Sequence, residues 1–208
     1  MRVVVCDPGV GNVRSVVRAI ERAAGPAEVV VTRDAAVVRD AAYVVVPGQG
    51  AFGAFVRGIE GELAEAVRAH VAAERPYLGI CLGMQVLFES SDEAPGAAGL
   101  AIFRGHVKRL VPGVDPITAR PHALPHIGWN AVAAAPGEER SPYFYFAHTF
   151  AAVPDDPALV SGLTTYGDAT FVSAIARGNV LGVQFHPEKS QREGLTLLTR
   201  FFRPSSAR

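Results

Sequence analysis

The sequence predicts an α/β fold with a central, mostly parallel sheet to which antiparallel strands are added. In the first half, short runs of β-branched residues alternate with amphipathic helical stretches, which is typical of a parallel sheet covered by helices. In the second half, short alternating runs are joined by tight turns such as Tyr166-Gly-Asp168, which is typical of antiparallel strands. We expect a single domain over residues 1–203, followed by a frayed tail at 204–208.

The first half alternates strands and helices in order. Asn12 stands where a helix N-cap is expected, after an Asp7-Pro-Gly turn with too few glycines in register for a nucleotide site. We predict strands at 3–6, 28–32, 43–46 and 77–80. A first helix is predicted to begin at 13, and further helices are predicted at 35–40, 59–73 and 84–88. The segment 47–53 is too rich in glycine for a regular element.

The second half consists mainly of strands. A polar loop at 90–99 separates the two halves, and a final helix closes the chain at 191–202. The predicted strands are 105–110, 128–133, 143–147, 159–166, 169–176 and 180–185.

The composition argues against several functional classes. The chain has 20 Lys and Arg residues against 20 Asp and Glu residues, so no basic surface predicts binding to nucleic acid or to an anionic membrane. No apolar run approaches the roughly 20 residues that span a bilayer, and no charged leader opens the chain, so we expect a cytoplasmic protein. His122 and His126 lie in proline-broken chain, so no metal site is expected there, and no cofactor is expected.

A cysteine flanked by glycines lies at the centre of the pattern. Gly79-Ile-Cys-Leu-Gly83 has the form of a nucleophile elbow, with sulfur in place of oxygen, and a sharp turn would leave no room for side chains at 79 and 83. Cys81 would then lie at a helix N-terminus that favours the thiolate, and the Leu82 N–H could face an oxyanion. This stretch alone is equally compatible with a buried, unreactive thiol.

Two other strand ends supply what a cysteine nucleophile needs. His186 follows the last predicted strand, and Glu188 lies two residues later on the same proline-stiffened turn, where it could orient the imidazole. The glycine-rich segment 47–53 follows the third strand, at the edge where open α/β sheets bind ligands. Taken alone, that segment is more simply an ordinary connection. Together, the three features predict a triad of Cys81, His186 and Glu188.

Longer stretches carry a resemblance to a known family. The elbow and the turn His186-Pro-Glu188 resemble the Cys-His-Glu triad of the class I glutamine amidotransferases. More narrowly, Pro125-His-Ile-Gly-Trp-Asn130 and His186-Pro-Glu-Lys-Ser190 resemble the glutaminase subunits of imidazole glycerol phosphate synthase. The resemblance covers nearly the whole chain and implies the flavodoxin-like, three-layer fold of that family.

The resemblance also implies roles for individual residues. Cys81 would attack the side-chain amide of glutamine, His186 would shuttle the proton and Glu188 would orient the ring. The N–H groups of Leu82 and, after a loop rearrangement, Gly50 would hold the oxyanion. The residues implied to bind the substrate or line its site are Gln85, Glu93, His148, Thr149 and Phe150.

The implied activity is hydrolysis of L-glutamine to glutamate and ammonia. A cyclase subunit with a (β/α)8 barrel would use the ammonia to make imidazole glycerol phosphate and aminoimidazole carboxamide ribonucleotide in histidine biosynthesis. The alternatives are an amidotransferase subunit of another pathway, a stand-alone γ-glutamyl hydrolase and a catalytically silent binding protein on the same fold.

The chain departs from the usual residues of the family at three positions. Cys6 and Pro8 replace an aliphatic residue and a tyrosine, and both are expected near the subunit face. Gln49 replaces a valine, and a larger polar side chain there could alter how tightly an inactive loop conformation is held.

Overall fold

A computed structural model describes residues 1–9, 11–133 and 140–203, so the tail predicted at 204–208 lies outside the described residues. Within the described residues, no helix is both long enough and apolar enough to cross a membrane. The elements of the first half are β1 Arg2–Cys6, α1 Val13–Ala24, β2 Glu28–Thr32, α2 Ala35–Arg39, β3 Tyr43–Gly48, α3 Phe52–Gly58, α4 Glu62–Ala72, β4 Tyr77–Cys81 and α5 Leu82–Gln85.

The second half is built mainly of strands and ends in a helix. Short 3-10 turns cover Pro157–Leu159 and Pro187–Lys189. The elements are β5 Ser90–Ser91, β6 Gly105–Arg109, β7 His126–Ala131, β8 Tyr143–His148, β9 Phe150–Pro154, β10 Val160–Tyr166, β11 Ala169–Arg177, β12 Val180–Val183 and α6 Gln191–Phe202.

A seven-stranded sheet with the order β10-β11-β12-β4-β3-β1-β2 forms the centre of the molecule. Neighbouring strands from β12 to β2 pair in parallel, whereas β11 pairs antiparallel with both β12 and β10. The strands β5, β6 and β9 form a second sheet, and β7 pairs with β8 in a two-stranded ribbon. The prediction of a mostly parallel sheet with added antiparallel strands is therefore confirmed.

Helices cover both faces of this sheet. Val3 and Val5 of β1 pack on the side of α1 and α6, whereas Val4 and Cys6 pack on the side of α2, α3 and α4. Successive side chains of a strand point to opposite faces, so a continuous run of valines is what a strand buried on both sides requires. The predicted capping residue Asn12 accepts the Ser15 N–H of α1 at 3.4 Å.

The helices on either side of the glycine-rich segment differ from the prediction. The helix expected over 59–73 is confirmed as α4 but begins only at Glu62, because Gly61 takes a φ of 66° before it, and α3 at Phe52–Gly58 is an additional helix that was not predicted. The predicted loop 47–53 is also shorter than expected, since β3 continues to Gly48 and α3 begins at Phe52. Phe52 and Phe55 are wholly buried, so hydrophobic burial outweighs the low helix propensity of the nearby glycines.

The position and length predicted for the helix at 84–88 were also wrong. It covers only Leu82–Gln85, although the apolar side chains that follow are buried as expected. The carbonyls of Val86 and Leu87 instead accept N–H groups from Leu100 and Ile102, at 2.6 and 2.9 Å. These tertiary hydrogen bonds replace the helical ones. The predicted polar loop 90–99 likewise begins with the short strand β5.

Cys6 and Pro8, which depart from the usual residues of the family, are both buried. Cys6 ends β1 in the core, where burial raises the pKa of its thiol to about 12. Pro8 is buried as well, and its carbonyl lies so close to Gly58 that a Cβ there would come within 2.0 Å. Both residues pack inside this chain, and their position near a subunit face stays a prediction.

Candidate active site

The three features singled out in the sequence meet at one edge of the central sheet. Gly48, at the end of β3, pairs with Cys81, at the end of β4. On the other side of β4, Val183 at the end of β12 pairs with Ile80, and His186 follows three residues later. Parallel strands that end side by side bring the segments after them together. The predicted juxtaposition of the elbow, the glycine-rich segment and the His-Pro-Glu turn is therefore present.

The elbow has the strained geometry that its glycines indicate. Cys81 takes a φ of 55° and a ψ of −108°, a conformation that residues with a side chain rarely adopt. A Cβ added at Gly83 would lie 1.7 Å from the Val46 carbonyl oxygen, and one at Gly79 would lie 2.3 Å from the Gly83 oxygen. The Tyr77 hydroxyl donates to that Gly83 carbonyl at 2.7 Å and holds the turn from below. The predicted steric requirement is confirmed.

The helix that follows Cys81 is too short to stabilise a thiolate through its dipole, as the sequence analysis had expected. A macrodipole is the sum of aligned peptide dipoles, and α5 contains only 4 residues. The stabilisation of a Cys81 thiolate expected from a helix N-terminus is correspondingly small. Other polar groups around the sulfur therefore matter more than the sequence indicated.

His186 is bound firmly to its neighbour Glu188. Its Nδ1 lies 2.8 Å from Glu188 Oε1, and the two side chains are only 1% and 3% exposed. The His186 N–H donates to the Tyr145 carbonyl at 2.8 Å, and Ser190 Oγ donates to the His186 carbonyl at 2.6 Å, so that the turn is held from both sides.

The protonation of His186 is set by two opposing influences. Burial by itself lowers its pKa, but the interactions with Cys81 and with Glu188 outweigh burial and raise the pKa to about 9. The ring is therefore protonated at neutral pH. Its Nε2 is buried and makes no hydrogen bond within the described residues.

All of the sequence-predicted site residues except Glu188 line one cavity of about 390 Å³. Gln49 also lines this cavity, and its backbone N is 3.3 Å from where a Cβ of Gly11 would be, so the first turn packs against it. Glu188 lies behind His186 rather than in the wall. The residues of the prediction that line the cavity are Gly50, Cys81, Leu82, Gln85, Glu93, His148, Thr149, Phe150 and His186.

Two of the polar side chains that line the cavity also make hydrogen bonds to the backbone of this chain. Glu93 Oε2 accepts the Phe52 N–H at 3.0 Å and so satisfies a donor at the start of α3. Gln85 donates through Nε2 to the Phe150 carbonyl at 2.9 Å, while its Oε1 is buried without a partner within the described residues. An unpaired buried acceptor is costly, so Gln85 Oε1 is suited to receive a donor from a ligand.

A pair of buried histidines supports the far wall of the cavity. His148 Nδ1 lies 2.9 Å from the Phe150 carbonyl, which can only accept, so this nitrogen carries the proton. His126 Nδ1 lies 3.4 Å from His148 Nε2, and Asn130 Nδ2 lies 3.3 Å from His126 Nε2. Burial lowers the pKa of His148 to about 3 and that of His126 to about 4. Both rings are neutral donors and acceptors in one fixed arrangement, which the sequence did not predict.

The free energy of unfolding is expected to fall as the pH drops from about 6.5 to about 4. In the unfolded chain both rings bind a proton near pH 6.5, whereas burial keeps them neutral in the folded state. Their contribution is therefore complete above pH 6.5 and is lost below it. The raised pKa of His186 has the opposite sign, so its contribution is complete below pH 6.5 and does not change in this window.

Urea unfolding between pH 4 and pH 7.5 measures this dependence. His126→Phe keeps a ring between Phe146 and Tyr166, whose centroids lie 5.0 and 4.1 Å away, but removes one titrating group. We expect a shallower pH dependence in this variant. An unchanged slope would show that the histidine pair is not its source.

Comparison with known proteins identifies the family. The model of the family described as "Glutamine amidotransferase class-I" matches residues 4–204. The chain belongs to the class-I glutamine amidotransferase family. The resemblance of this chain to the glutamine amidotransferases, which the sequence analysis based on the elbow and the His-Pro-Glu turn, is thus confirmed.

Relatives of this amidotransferase chain carry a narrower name. The protein called "Imidazole glycerol phosphate synthase subunit HisH" from Aquifex aeolicus is 43% identical over 98% of this chain and 97% of its own length. Proteins of the same name from Dechloromonas aromatica and Pyrococcus furiosus are 42% and 39% identical, over 96% and 97% of this chain and 94% and 98% of their own lengths. The narrower resemblance of the sequence is confirmed as well.

Solved structures agree on the fold of this amidotransferase. A structure described as "Crystal structure of glutamine amidotransferase" matches with a TM-score of 0.67 and 20% identity, over 96% of both chains. A chain from "Structure of PurLQS from Thermotoga maritima" matches with a TM-score of 0.69 and 17% identity, over 96% of this chain and 97% of that one. The predicted class I amidotransferase fold is confirmed.

Proposed function

We propose that this chain is the glutaminase subunit of an imidazole glycerol phosphate synthase and hydrolyses L-glutamine to glutamate and ammonia. One observation carries the chemistry. Cys81, on a strained elbow, shares a cavity with His186, whose Nδ1 is bound to the buried Glu188 at 2.8 Å. The names of the relatives support the pathway, because each is a subunit of that synthase.

The reaction runs through two displacements at the glutamine side-chain carbonyl carbon. The Cys81 thiolate adds to that carbon, and the Leu82 and Gly50 N–H groups stabilise the resulting oxyanion. His186 then gives its proton to the departing nitrogen, which leaves as ammonia and yields a thioester. A water molecule, losing a proton to His186, attacks the thioester and releases glutamate. A His186 pKa of about 9 supports this order, since the imidazolium is ready to donate at neutral pH.

Substrate contacts follow from the groups that remain available in the cavity. Gln85 Oε1 would accept an N–H of the substrate, because it is buried and lacks a partner within the described residues. Glu93, His148, Thr149 and Phe150 would form the remainder of the wall. The proposal treats residues 1–203 as one functional domain, which the family match over 4–204 supports.

The proposed partner is a cyclase subunit with a (β/α)8 barrel. β7 exposes two large apolar side chains, with Ile127 62% and Trp129 46% accessible. The Trp129 ring packs edge-on against Tyr145 at 6.2 Å, and Lys189, which lines the cavity, lies 5.7 Å over that Tyr145 ring. An exposed apolar patch beside the cavity suits a partner that receives the ammonia before it is lost to water. A reacting thiol that must stay reduced also supports a cytoplasmic location.

Glutaminase activity of the isolated chain is expected to rise by at least about 100-fold when the cyclase subunit and its ligand are added. The physical reason is that one misplaced oxyanion donor costs a factor of this size, and Gly50 is expected to reach its position only after a loop rearrangement. Coupled assay of glutamate formation, with the chain alone and with its partner, measures the ratio.

Two matched variants test the docking face. Ile127→Asp and Val153→Asp each place a charge on an exposed β-branched position, 62% and 45% accessible. We expect Ile127→Asp to weaken association at least about tenfold and Val153→Asp to leave it unchanged. Full glutaminase activity without any partner would instead favour a stand-alone γ-glutamyl hydrolase.

A further inference from the structure

Gln184 is a buried polar residue next to the reacting sulfur that the triad does not include. It directly follows β12, and its backbone N–H donates to the Ser173 carbonyl at 2.9 Å, which fixes the main chain. Its side chain has no exposed surface. Gln184 Nε2 lies 3.6 Å from Cys81 Sγ, and its Oε1 lies 3.0 Å from Gln85 Nε2. The amide therefore connects the nucleophile to the floor of the cavity.

The orientation of this amide follows from a backbone carbonyl. The Phe150 oxygen can only accept, and Gln85 approaches it at 2.9 Å, so the Gln85 atom facing it must be the NH2 group. The same NH2 group faces Gln184, which must therefore present its oxygen. The other end of the Gln184 amide, the NH2 group, is then directed at Cys81 Sγ. His148 donates to the same Phe150 carbonyl at 2.9 Å, which anchors the whole arrangement.

We propose that Gln184 is a catalytic residue of this site, whose amide N–H stabilises the Cys81 thiolate while its oxygen holds Gln85 in position for the substrate. The inference rests on the proposed function, since it assumes that Cys81 reacts as a thiolate. A sulfur anion accepts a hydrogen bond more strongly than a thiol does, so a fixed donor shifts the equilibrium toward the anion. The 4-residue α5 contributes little dipole, which leaves this role to a side chain.

The same amide has a second effect, on the substrate contact. By taking one N–H of Gln85, Gln184 keeps the Gln85 oxygen turned away from the protein donors, and that oxygen is buried without a partner within the described residues. Loss of the Gln184 oxygen would release one of the two bonds that hold the Gln85 amide. A variant of Gln184 should therefore affect both thiolate formation and substrate binding.

The rate of Cys81 alkylation by iodoacetamide, measured from pH 5 to pH 10, tests the first effect. Gln184→Met keeps the side-chain length and removes the donor. We expect the apparent pKa of the Cys81 thiol to rise by about one unit, so that alkylation below that pKa slows about tenfold. Cys6, which is wholly buried, is expected to remain unlabelled, and peptide mass analysis checks this.

Two further variants complete the experiment. Gln184→Glu retains the shape but places a carboxylate beside the sulfur, so its thiol pKa should rise further still. Ser173→Ala is the control, because it removes a buried hydroxyl from the neighbouring strand without removing a contact to Cys81. It should leave the thiol pKa unchanged. In steady-state assays of the complex, Gln184→Met should lower kcat and raise KM for glutamine.

The outcomes separate this inference from the proposed function. If Cys81 of the wild-type chain is alkylated and glutamine is hydrolysed, but both Gln184 variants keep the wild-type thiol pKa to within about 0.3 units, the role of Gln184 is overturned and the triad stands. If wild-type Cys81 forms no thiolate below pH 9 and the complex does not need it for hydrolysis, the proposed function fails as well. If Gln184→Met does not fold, Gln184→Leu, which also lacks the amide donor and adds no charge, gives the decisive value.

Discussion

Replacing Cys81 with serine is expected to abolish glutamine hydrolysis by the complex, with a loss of at least about 10⁴-fold in kcat. A hydroxyl is much less acidic than a thiol, so a serine at this position would not supply the anion that adds to the amide carbon. The substitution changes one atom, so binding of the partner should persist. This is the largest effect on activity that the structure predicts.

The matched control for this experiment is the other cysteine of the chain. Cys6→Ala removes a thiol that lies in the core below the sheet edge, and it should keep glutaminase activity within a few-fold of the wild type. A glutamine-like electrophile should add to Cys81 in the wild type and in Cys6→Ala, and to no residue in Cys81→Ser. Wild-type turnover by Cys81→Ser would end the triad hypothesis, and the absence of a Cys81 adduct in the wild type would favour a catalytically silent binding protein.

Gly83→Ala is expected to have the largest effect on stability, lowering the free energy of unfolding by at least about 3 kcal/mol. The new methyl group would lie 1.7 Å from the Val46 carbonyl oxygen, far inside van der Waals contact. Val46 belongs to β3, which is paired on one side with β1 and on the other with β4, so its backbone has little freedom to move. Relief would require the elbow itself to shift, and Cys81 with it.

Gly96→Ala provides the comparison. Gly96 has a φ of 87°, but within the described residues no atom lies within 4 Å of the place that a Cβ would take, so the variant carries backbone strain without a clash. It should cost about 1 kcal/mol. Urea unfolding of both variants, with glutaminase assays of whatever folds, separates crowding from backbone conformation. Equal losses of stability in the two variants would contradict the steric account of the elbow.

Much of the fold was predictable because the sequence carries strong local patterns. The valine run of β1 indicates a strand buried on both faces, and the turns at Gly167 and Gly178, with φ values of 58° and 55°, join antiparallel strands as predicted. The site was predictable at the level of strand ends, since Gly48, Cys81 and His186 each follow an apolar run. Parallel pairing then brings such ends together without further information.

The remaining features depend on contacts that no local pattern contains. β9 was missed because Ala151 and Ala152 have weak strand propensity, and only pairing with β6 makes this segment a strand. The amide contacts of Gln85 join residues 65 and 99 positions apart in the chain, to Phe150 and Gln184. In the sequence, the only sign of the Gln184 contacts was a polar residue at the end of an apolar run. His126 offered a similar one, since it and Asn130 alternate with the exposed Ile127 and Trp129.

The insertion of β12 between β4 and β11 also determines when the site can form during synthesis. Gln184 follows Cys81 by 103 residues, and β4 has no neighbour on that side until β12 has left the ribosome. Pairing between strands so far apart in the sequence is slow, because a large loop must lose conformational entropy before the two strands make any stabilising contact. On a nascent chain the elbow cysteine is thus without its histidine and its amide, and reactivity is acquired only in the last stage of folding.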